Sequence, residues 1–385
     1  MSYYILPKIH NKIKISPYIS ENEIEPCISQ TFVQYYNTTK NEILNIYYTD
    51  PCISIENLKQ FINPYEYIFS KVPGSNFSVS KLKPKSILFY DLYEIIQNIN
   101  LLDVFKYEKL NSLIIGDNYE DSLECLEMLR ENYNEDKFFC FYEYNLDLHN
   151  WIKDNKFNFI IYEINNFENI NDYVVKLIEI LILSINFLNE NSMVIIKINN
   201  LIHKPIIDIV YLLTSLFEKT YIIKPNTSNI TTFDKYIILK NFNFKNDKDE
   251  LLNNYNTILS NFLNEYNSTN KHINSIIQFD LPYYFLNKID DINLIIGQQQ
   301  LDLFDQIINI LLSKNKEDKL ETLKKNNIQK CVQWCEKYKI PCNKFSEKIN
   351  IFLPVKKPTE YKSDTFNIII SDQINETKEI EIIFN

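Results

Sequence analysis

The sequence has little glycine, histidine, methionine or tryptophan. Three glycines in 385 residues exclude any function that needs several glycines close together. Left-handed turns must therefore be made largely by asparagine, which tolerates a positive φ better than other residues that carry a side chain. No Ser, His, Asp arrangement is visible, so a nucleophilic hydrolase is not supported. The histidines are isolated from one another at His10, His149, His203 and His272.

Cysteine is also sparse, with seven widely scattered residues. The opening "MSYYILPKIHNKIK" shows no secretory signal, so reduced thiols and a cytoplasmic location are expected. Cys331 and Cys335 lie one helical turn apart, but only Cys342 is near them and no histidine completes a tetrahedral site. We therefore predict no metal, and we interpret these cysteines and Trp334 as the packing face of a helix.

No apolar run is long enough to cross a bilayer. The longest, "VVKLIEILILSINFL" at 174–188, contains Lys176 and Glu179 and falls short of the roughly 20 residues that a membrane helix needs. We predict a buried helix here and no membrane partner.

The overall composition leaves room for a large core. Hydrophobic residues make up 45% of the chain, enough for one large core or two smaller ones. The formal net charge of −10 argues against a protein that coats nucleic acid non-specifically, although a local basic face is compatible with it.

Three regions of the chain differ in proline content and in their pattern of helical and strand-like segments. Residues 1–85 contain frequent prolines, which predict an N-terminal extension of loops and short strands without a long helix. In residues 86–245 strand-like and helical segments alternate, and they end in two strands with no helix between them. This pattern predicts an α/β domain with a mostly parallel sheet and one antiparallel strand. Residues 246–385 predict a helical appendage followed by strand-like segments.

The end of the α/β region carries a specific pattern, "EKTYIIKPNTSNITTFDKYIILKNF" at 218–242. It resembles the FtsJ-like ribose 2'-O-methyltransferase family, in which a strand delivers Lys-Pro, a turn with Ser follows, and an acidic residue precedes the next strand. The matching residues are Lys224, Pro225, Ser228, Asp234, Lys235 and Tyr236.

Earlier segments extend the resemblance to about residues 70–245. "NSMVIIKIN" is similar to the family strand that ends in a catalytic lysine, here Lys197. "FNFIIYEIN" is similar to the strand that ends in a catalytic aspartate, here Glu163. "LFYDLYEII" resembles the helix that carries a further lysine, and Asp91 stands at that place. Residues 111–129 fall where the family binds S-adenosylmethionine.

The resemblance implies a Rossmann-like methyltransferase sheet and a set of Lys, Asp, Lys and Glu, in which one lysine accepts the proton of a ribose 2'-hydroxyl. Here the set is Asp91, Glu163, Lys197 and Asp234. Because Lys197 then lies among three acids, we expect its pKa to be raised, which weakens it as a base. Each of the four also has a plain interpretation: solvated strand ends, turn residues, or a polar position on an amphipathic helix.

The loop at the expected cofactor site also departs from the family pattern in a way that argues against catalysis. Close approach of the backbone to a cofactor usually needs glycines, and "IIGDNYEDSLE" offers only Gly116, followed by Asp117 and a bulky acidic run. Glu143, at the end of "FFCFYEYN", is a candidate acceptor for the cofactor ribose. Alternatively, Gly116 is a simple strand-to-helix turn residue.

A lysine-rich segment, "SKVPGSNFSVSKLKPKS", precedes the first helix of the α/β region. In the family this is where RNA enters, so Lys71, Lys81, Lys83 and Lys85 are candidate RNA contacts together with Phe77. The alternative is a solvated loop with ordinary lysines.

Two functions follow from the resemblance. The composition and flanks look like FtsJ-like proteins of large DNA viruses, whose relatives modify mRNA caps. The favoured hypothesis is a degenerate methyltransferase without cofactor that binds RNA, such as capped mRNA, or acts as a scaffold with a protein partner in the host cytoplasm or the virion. The alternative is an active S-adenosylmethionine-dependent RNA 2'-O-methyltransferase with an altered tetrad.

Overall fold

A computed structural model describes residues 2–9, 13–49, 55–144, 152–164, 169–243, 249–266 and 271–343, together with Leu148 and Phe345. The strands in these residues are β1 Ser2–Leu6, β2 Tyr18–Ser20, β3 Asn111–Ile115, β4 Lys137–Phe141, β5 Phe157–Glu163, β6 Leu188–Ile198, β7 Phe217–Lys224, β8 Lys235–Phe242 and β9 His272–Ser275.

The helices fall before, between and after these strands. They are α1 Gln30–Thr49, α2 Ile55–Ile62, α3 Leu88–Ile99, α4 Tyr119–Leu129, α5 Ile170–Phe187, α6 Lys204–Leu216, α7 Asp249–Tyr266, α8 Tyr283–Leu311 and α9 Lys316–Lys337. Within the described ranges, no helix is both long enough and apolar enough to cross a membrane.

The central sheet has seven strands among the described residues, in the order β1-β7-β8-β6-β5-β3-β4. β4, β3, β5 and β6 are parallel, and β8 is antiparallel to both β6 and β7. The predicted α/β class with a mostly parallel sheet is therefore confirmed. A second antiparallel strand, β1, pairs with β7 and comes from the N-terminal region. β2 and β9 form a separate two-stranded ladder.

The chain changes direction across the sheet between β3 and β5. It passes outward from β3 to β4 and then returns to place β5 on the other side of β3. In open α/β sheets this switch point opens a crevice at the carboxyl ends of the strands. Gly116 follows β3 and Glu163 ends β5, so both residues lie at this crevice.

Helices cover both faces of the sheet because the side chains of each strand alternate between two apolar layers. One layer contains Ile160 and Val194 with α5 and α6, and the apolar run at 174–188 is buried in it as predicted. The other layer contains Ile161 and Ile195 with α3, α4 and α9.

The N-terminal region contains a long helix, so the prediction of loops and short strands there was wrong. α1 spans 20 residues between Pro26 and Pro51. Its apolar positions Phe32, Tyr36 and Ile43 recur on one face and are buried against α8, in an apolar cluster that also includes residues of α2. The frequent prolines obscured this helix because they lie before and after it.

The C-terminal region is helical through α7, α8 and α9, as predicted. Its strand-like segments at 348–354, 365–371 and 379–385 lie outside the described residues. Asparagine supplies left-handed turns as expected: among the described residues with a side chain, positive φ occurs at Ser29, Asn100, Asn191, Asn241 and Lys339.

Candidate functional site

Lys197 and Glu163 form an ion pair at the carboxyl edge of the sheet. The two residues are direct partners in the register of β5 and β6, so their side chains leave the same face. Lys197 Nζ lies 2.8 Å from Glu163 Oε1, and the Glu163 side chain is only 6% exposed. The sequence placed these two residues at the ends of neighbouring strands, and the structure brings them into contact.

The same carboxylate also binds the loop after β3. Asn118 donates its backbone N–H to Glu163 Oε2 at 3.2 Å and its side-chain amide to both carboxylate oxygens at 3.1 Å. Gly116, at φ +150°, lies so close that a Cβ there would come within 2.6 Å of Glu163 Cβ. The glycine is therefore needed for the close approach of Glu163 to the loop after β3.

Asp91 is buried in the first turn of α3, close enough to Lys197 for the two charges to interact. The hydroxyls of Thr227 and Tyr236 both donate to its carboxylate, with a distance of 2.9 Å from Tyr236. Burial raises the pKa of Asp91 to about 7, against the opposing effects of these two hydrogen bonds and the charge of Lys197.

The acidic surroundings hold Lys197 as an ammonium. Burial alone would lower the pKa of Lys197, but the charges of Glu163, Asp234 and Asp91 outweigh it, so the pKa is raised. This is the direction that the sequence predicted from three acids around one lysine. A lysine in this state donates hydrogen bonds and does not accept a proton near neutral pH.

Asp234 is half-buried, and its segment is held by Lys224. Lys224 is 4% exposed, and its ammonium donates to the carbonyls of Asn229, Thr232 and Asp234 at 2.7 to 2.9 Å. Burial lowers the pKa of Lys224 to about 8. The Lys-Pro pattern therefore provides a lysine that fixes the turn leading to Asp234.

Glu94, which the sequence analysis did not assign, anchors the other end of that turn. Its carboxylate accepts the backbone N–H groups of Asn226 and Thr227 at 3.0 and 3.3 Å, and the indole N–H of Trp334 at 3.2 Å. The sequence signal that could have identified Glu94 is its acidic side chain three positions after Asp91 on the same helix. The link to α9 was not visible because Trp334 is 240 residues away.

The remaining cofactor candidates lie at the edge of the crevice. The side chains of Asp117 and Glu143 are exposed, and nearby Tyr119 and Tyr142 pack edge to face with ring centroids 5.0 Å apart. Glu143 could accept hydrogen bonds from a ribose and Gly116 permits close backbone approach, so these residues are the ones that could hold S-adenosylmethionine. Their role stays a prediction.

Three of the four predicted RNA-contact lysines line one cleft of about 350 Å³: Lys71, Lys81 and Lys83. Phe77, which is 59% exposed, lines the same cleft. Lys85 is not part of it, because its ammonium pairs with Glu120 on α4.

The chain after α9 fixes this cleft. Lys81 N–H donates to Pro341 O at 2.9 Å, and Asn343 N–H donates to Val79 O at 2.8 Å. Asn343 also donates its side-chain amide to Ser78 O at 2.9 Å. The C-terminal region thus holds the lysine-rich segment in one conformation.

The cysteines near the C-terminus pack as predicted. Cys331, Trp334 and Cys335 are almost fully buried on one face of α9, in the same apolar layer as α3, and burial raises the pKa of both thiols. Among the described residues, no group of three or more His, Cys, Asp or Glu side chains is arranged to hold a metal ion.

Comparisons with known proteins add little to this geometry. No family model and no curated protein matches the sequence. Among solved structures, the chain is similar to SMU.776, which is provisionally described as a methyltransferase and was solved as a complex with SAH. The match has 9% identity and a TM-score of 0.26, and it covers 38% of this chain and 49% of that one, about half its length. A TM-score of this size does not establish a shared fold, so the fold class rests on the strand order.

Proposed function

We propose that this chain is a methyltransferase-fold protein that binds RNA at its basic cleft and does not itself transfer methyl groups. One observation carries the second half of the proposal. The Glu163 carboxylate lies against Gly116, accepts from Asn118 and pairs with Lys197. The same side chain therefore crowds the crevice where a cofactor would bind and holds the candidate base as an ammonium.

The basic cleft supports the first half. Three exposed lysines next to an exposed phenylalanine suit a single strand, since lysines contact phosphates while an aromatic ring stacks on a base. The cleft belongs to the same segment that leads into α3 and Asp91. Capped mRNA is the RNA that the family resemblance favours.

A second candidate function is methyl transfer by the altered tetrad. The observation in its favour is that the charges of Glu163, Asp234 and Asp91 all act on Lys197. An active enzyme would need S-adenosylmethionine beside Gly116 and a route by which Lys197 loses its proton.

Calorimetric titration with S-adenosylmethionine and S-adenosylhomocysteine separates the two functions. We expect no detectable heat at concentrations up to about 1 mM. Micromolar affinity for either compound would reject the inactive form of the proposal and support the second candidate.

RNA binding is tested by fluorescence anisotropy with capped and uncapped single-stranded oligonucleotides over a range of salt. Replacing Lys71, Lys81 and Lys83 together with alanine should weaken binding and lower the salt slope by up to about 2, since each lost phosphate contact removes about 0.7. A matched triple variant removes the exposed Lys109, Lys137 and Lys153, none of which lines the cleft. Equal losses in both variants would contradict the cleft assignment.

Lys85→Ala is a second control, because Lys85 pairs with Glu120 outside the cleft. We expect this variant to bind RNA as the unmodified protein does. Affinity that does not depend on the cap would leave RNA binding in place and exclude cap recognition.

A further inference from the structure

A pocket of about 210 Å³ lies between α1, α8 and the segment that follows β6. One wall is aromatic and consists of Phe32, Tyr36 and Phe233. The Phe233 ring centroid lies 4.5 Å from that of Tyr36 and 5.8 Å from that of Phe32, so the three rings form one continuous surface. The volume suits a single small ring compound, not an extended cofactor.

The shape of this wall depends on one of the three glycines in the chain. Gly297 lies in α8, and a Cβ at this position would come within 2.3 Å of the Phe32 ring. Glycine in the interior of a helix costs about 1 kcal/mol relative to alanine. Its place here is explained by the close approach of Phe32, which the pocket wall requires.

Lys235 supplies the charged group of the pocket. The residue is 2% exposed, and within the described residues its ammonium has one hydrogen-bond acceptor, Asn293 Oδ1 at 3.3 Å. A lysine ammonium has three donors, so two are left for another partner. No aspartate or glutamate stands among the described residues that line the pocket.

This pocket is separate from the site around Lys197, although the two lysines are close along the sheet. Lys197 pairs with Tyr236 across β6 and β8, whereas Lys235 pairs with Ile198. Because successive side chains of a strand point to opposite faces, Lys235 leaves the sheet on the face opposite to Lys197.

We propose that this pocket binds a small aromatic carboxylate, with its ring against Tyr36 and Phe233 and its anionic group on the Lys235 ammonium. A buried cation without a carboxylate gains most from an anionic ligand, because the ligand neutralises the charge and accepts the remaining hydrogen bonds. A cationic ring is disfavoured for the same reason. Side-chain amides at the pocket, such as Asn37 and Asn199, can orient the ring.

The protonation state of Lys235 gives the proposal a measurable consequence, the uptake of a proton on binding. Burial lowers the pKa of Lys235 to about 7, helped by the nearby charge of Lys224 and opposed by the charge of Asp234, which does not line the pocket. An anion bound at the ammonium raises that pKa, so binding above pH 7 takes up a proton and binding well below pH 7 does not.

The first test uses the full chain and a panel of benzoate, nicotinate and indole-3-carboxylate, observed by ligand-detected NMR and calorimetry. We expect at least one acid to bind, and its uncharged amide to bind about tenfold more weakly or worse. We also expect proton uptake at pH 8 and almost none at pH 6, measured in buffers of different ionisation enthalpy. This readout needs no variant, so it is independent of folding effects.

The second test compares Lys235→Met with Lys240→Met. Lys240 lies on the same strand, and its ammonium contacts Ile99 O at 3.4 Å, outside the pocket. Lys235→Met should weaken binding of the acid about tenfold or more, whereas Lys240→Met should leave it unchanged.

Four results would overturn the proposal, and the first three concern the ring acids. These are no binding of any acid at about 10 mM, binding without proton uptake at pH 8, and equal affinity in the two variants. Binding of inorganic phosphate without any ring acid would also reject the aromatic carboxylate. None of these results depends on S-adenosylmethionine or RNA, so the fate of this inference is separate from that of the proposed function.

Discussion

Lys197 and Lys235 lie one step apart across β6 and β8, yet they are in opposite electrostatic states. Lys197 faces three carboxylates, and its pKa is raised despite burial. Lys235 faces an amide and aromatic rings, and burial lowers its pKa to about 7. Burial lowers the pKa of both lysines, and the carboxylates around Lys197 reverse its effect there, so the direction of the shift at Lys197 is set by its partners.

The same two sites also contain two of the three glycines. Gly116 admits the backbone and carboxylate of Glu163, and Gly297 admits the ring of Phe32. In one site the space made by the glycine is filled by an acid, and in the other it helps to shape an open pocket. The four predictions below test how far this difference extends.

The largest expected effect is on the free energy of unfolding when each lysine is replaced by methionine. Lys197→Met leaves the Glu163 carboxylate buried with only amide donors, so we expect a loss of about 3 kcal/mol. Lys235→Met removes a buried cation that has no carboxylate, so stability should be unchanged or higher by about 1 kcal/mol. Urea denaturation at pH 7 measures both, and equal losses would show that the two sites do not differ.

The two glycines should differ in the cost of substitution by alanine. Gly116→Ala requires a strained φ and a clash with Glu163 at the end of a strand, so we expect a loss of about 3 kcal/mol. Gly297→Ala requires only that the Phe32 ring moves, and alanine favours the helix by about 1 kcal/mol, so the loss should be about 1 to 2 kcal/mol.

A double-mutant cycle checks the second of these costs. In a Phe32→Leu background, Gly297→Ala should become less destabilising, because the ring that it meets is gone. An unchanged cost would mean that the clash with Phe32 is not what matters.

The pH dependence of stability should carry the signature of Lys235. Its pKa falls from 10.5 to about 7 on folding, so between these values the unfolded chain binds more protons. The contribution of this group to stability is full above pH 10.5 and is lost as the pH falls towards 7, by up to about 1.4 kcal/mol per pH unit.

The Lys235→Met variant lacks this pH-dependent contribution. Its free energy of unfolding relative to that of the unmodified protein should therefore be highest at pH 7 and decline towards pH 10. The range above pH 8 is cleanest, because Asp91, whose pKa is raised from 3.8 to about 7, contributes stability that is lost as the pH rises through this interval, and this loss is complete above pH 8. A difference that is independent of pH would contradict the lowered pKa of Lys235.

The smallest effects concern the pKa of Lys197, followed by NMR of its labelled side chain. Glu163→Gln should lower this pKa most, Asp234→Asn less and Asp91→Asn least, in the order of the charges that act on Lys197. Any other order would contradict this ranking of the three charges.

Much of the α/β region could be predicted from the sequence. The buried strands and the helix at 170–187 follow from apolar periodicity, and two neighbouring parallel strands place Glu163 and Lys197 at one edge. The raised pKa of Lys197 followed from the acids at the matching positions. The failure on α1 has a local cause, since flanking prolines weighed more than the apolar spacing between them.

The sequence by itself determined the fold class, the acidic residues expected around Lys197 and the shortage of glycine after β3, because these depend on local pattern and residue type. Only the tertiary structure decided that Glu163 binds both Asn118 and Lys197, that Lys85 pairs with Glu120 outside the cleft, and that Lys235 is buried beside Phe233. Such contacts join residues tens to hundreds of positions apart, and no periodicity in the chain encodes them.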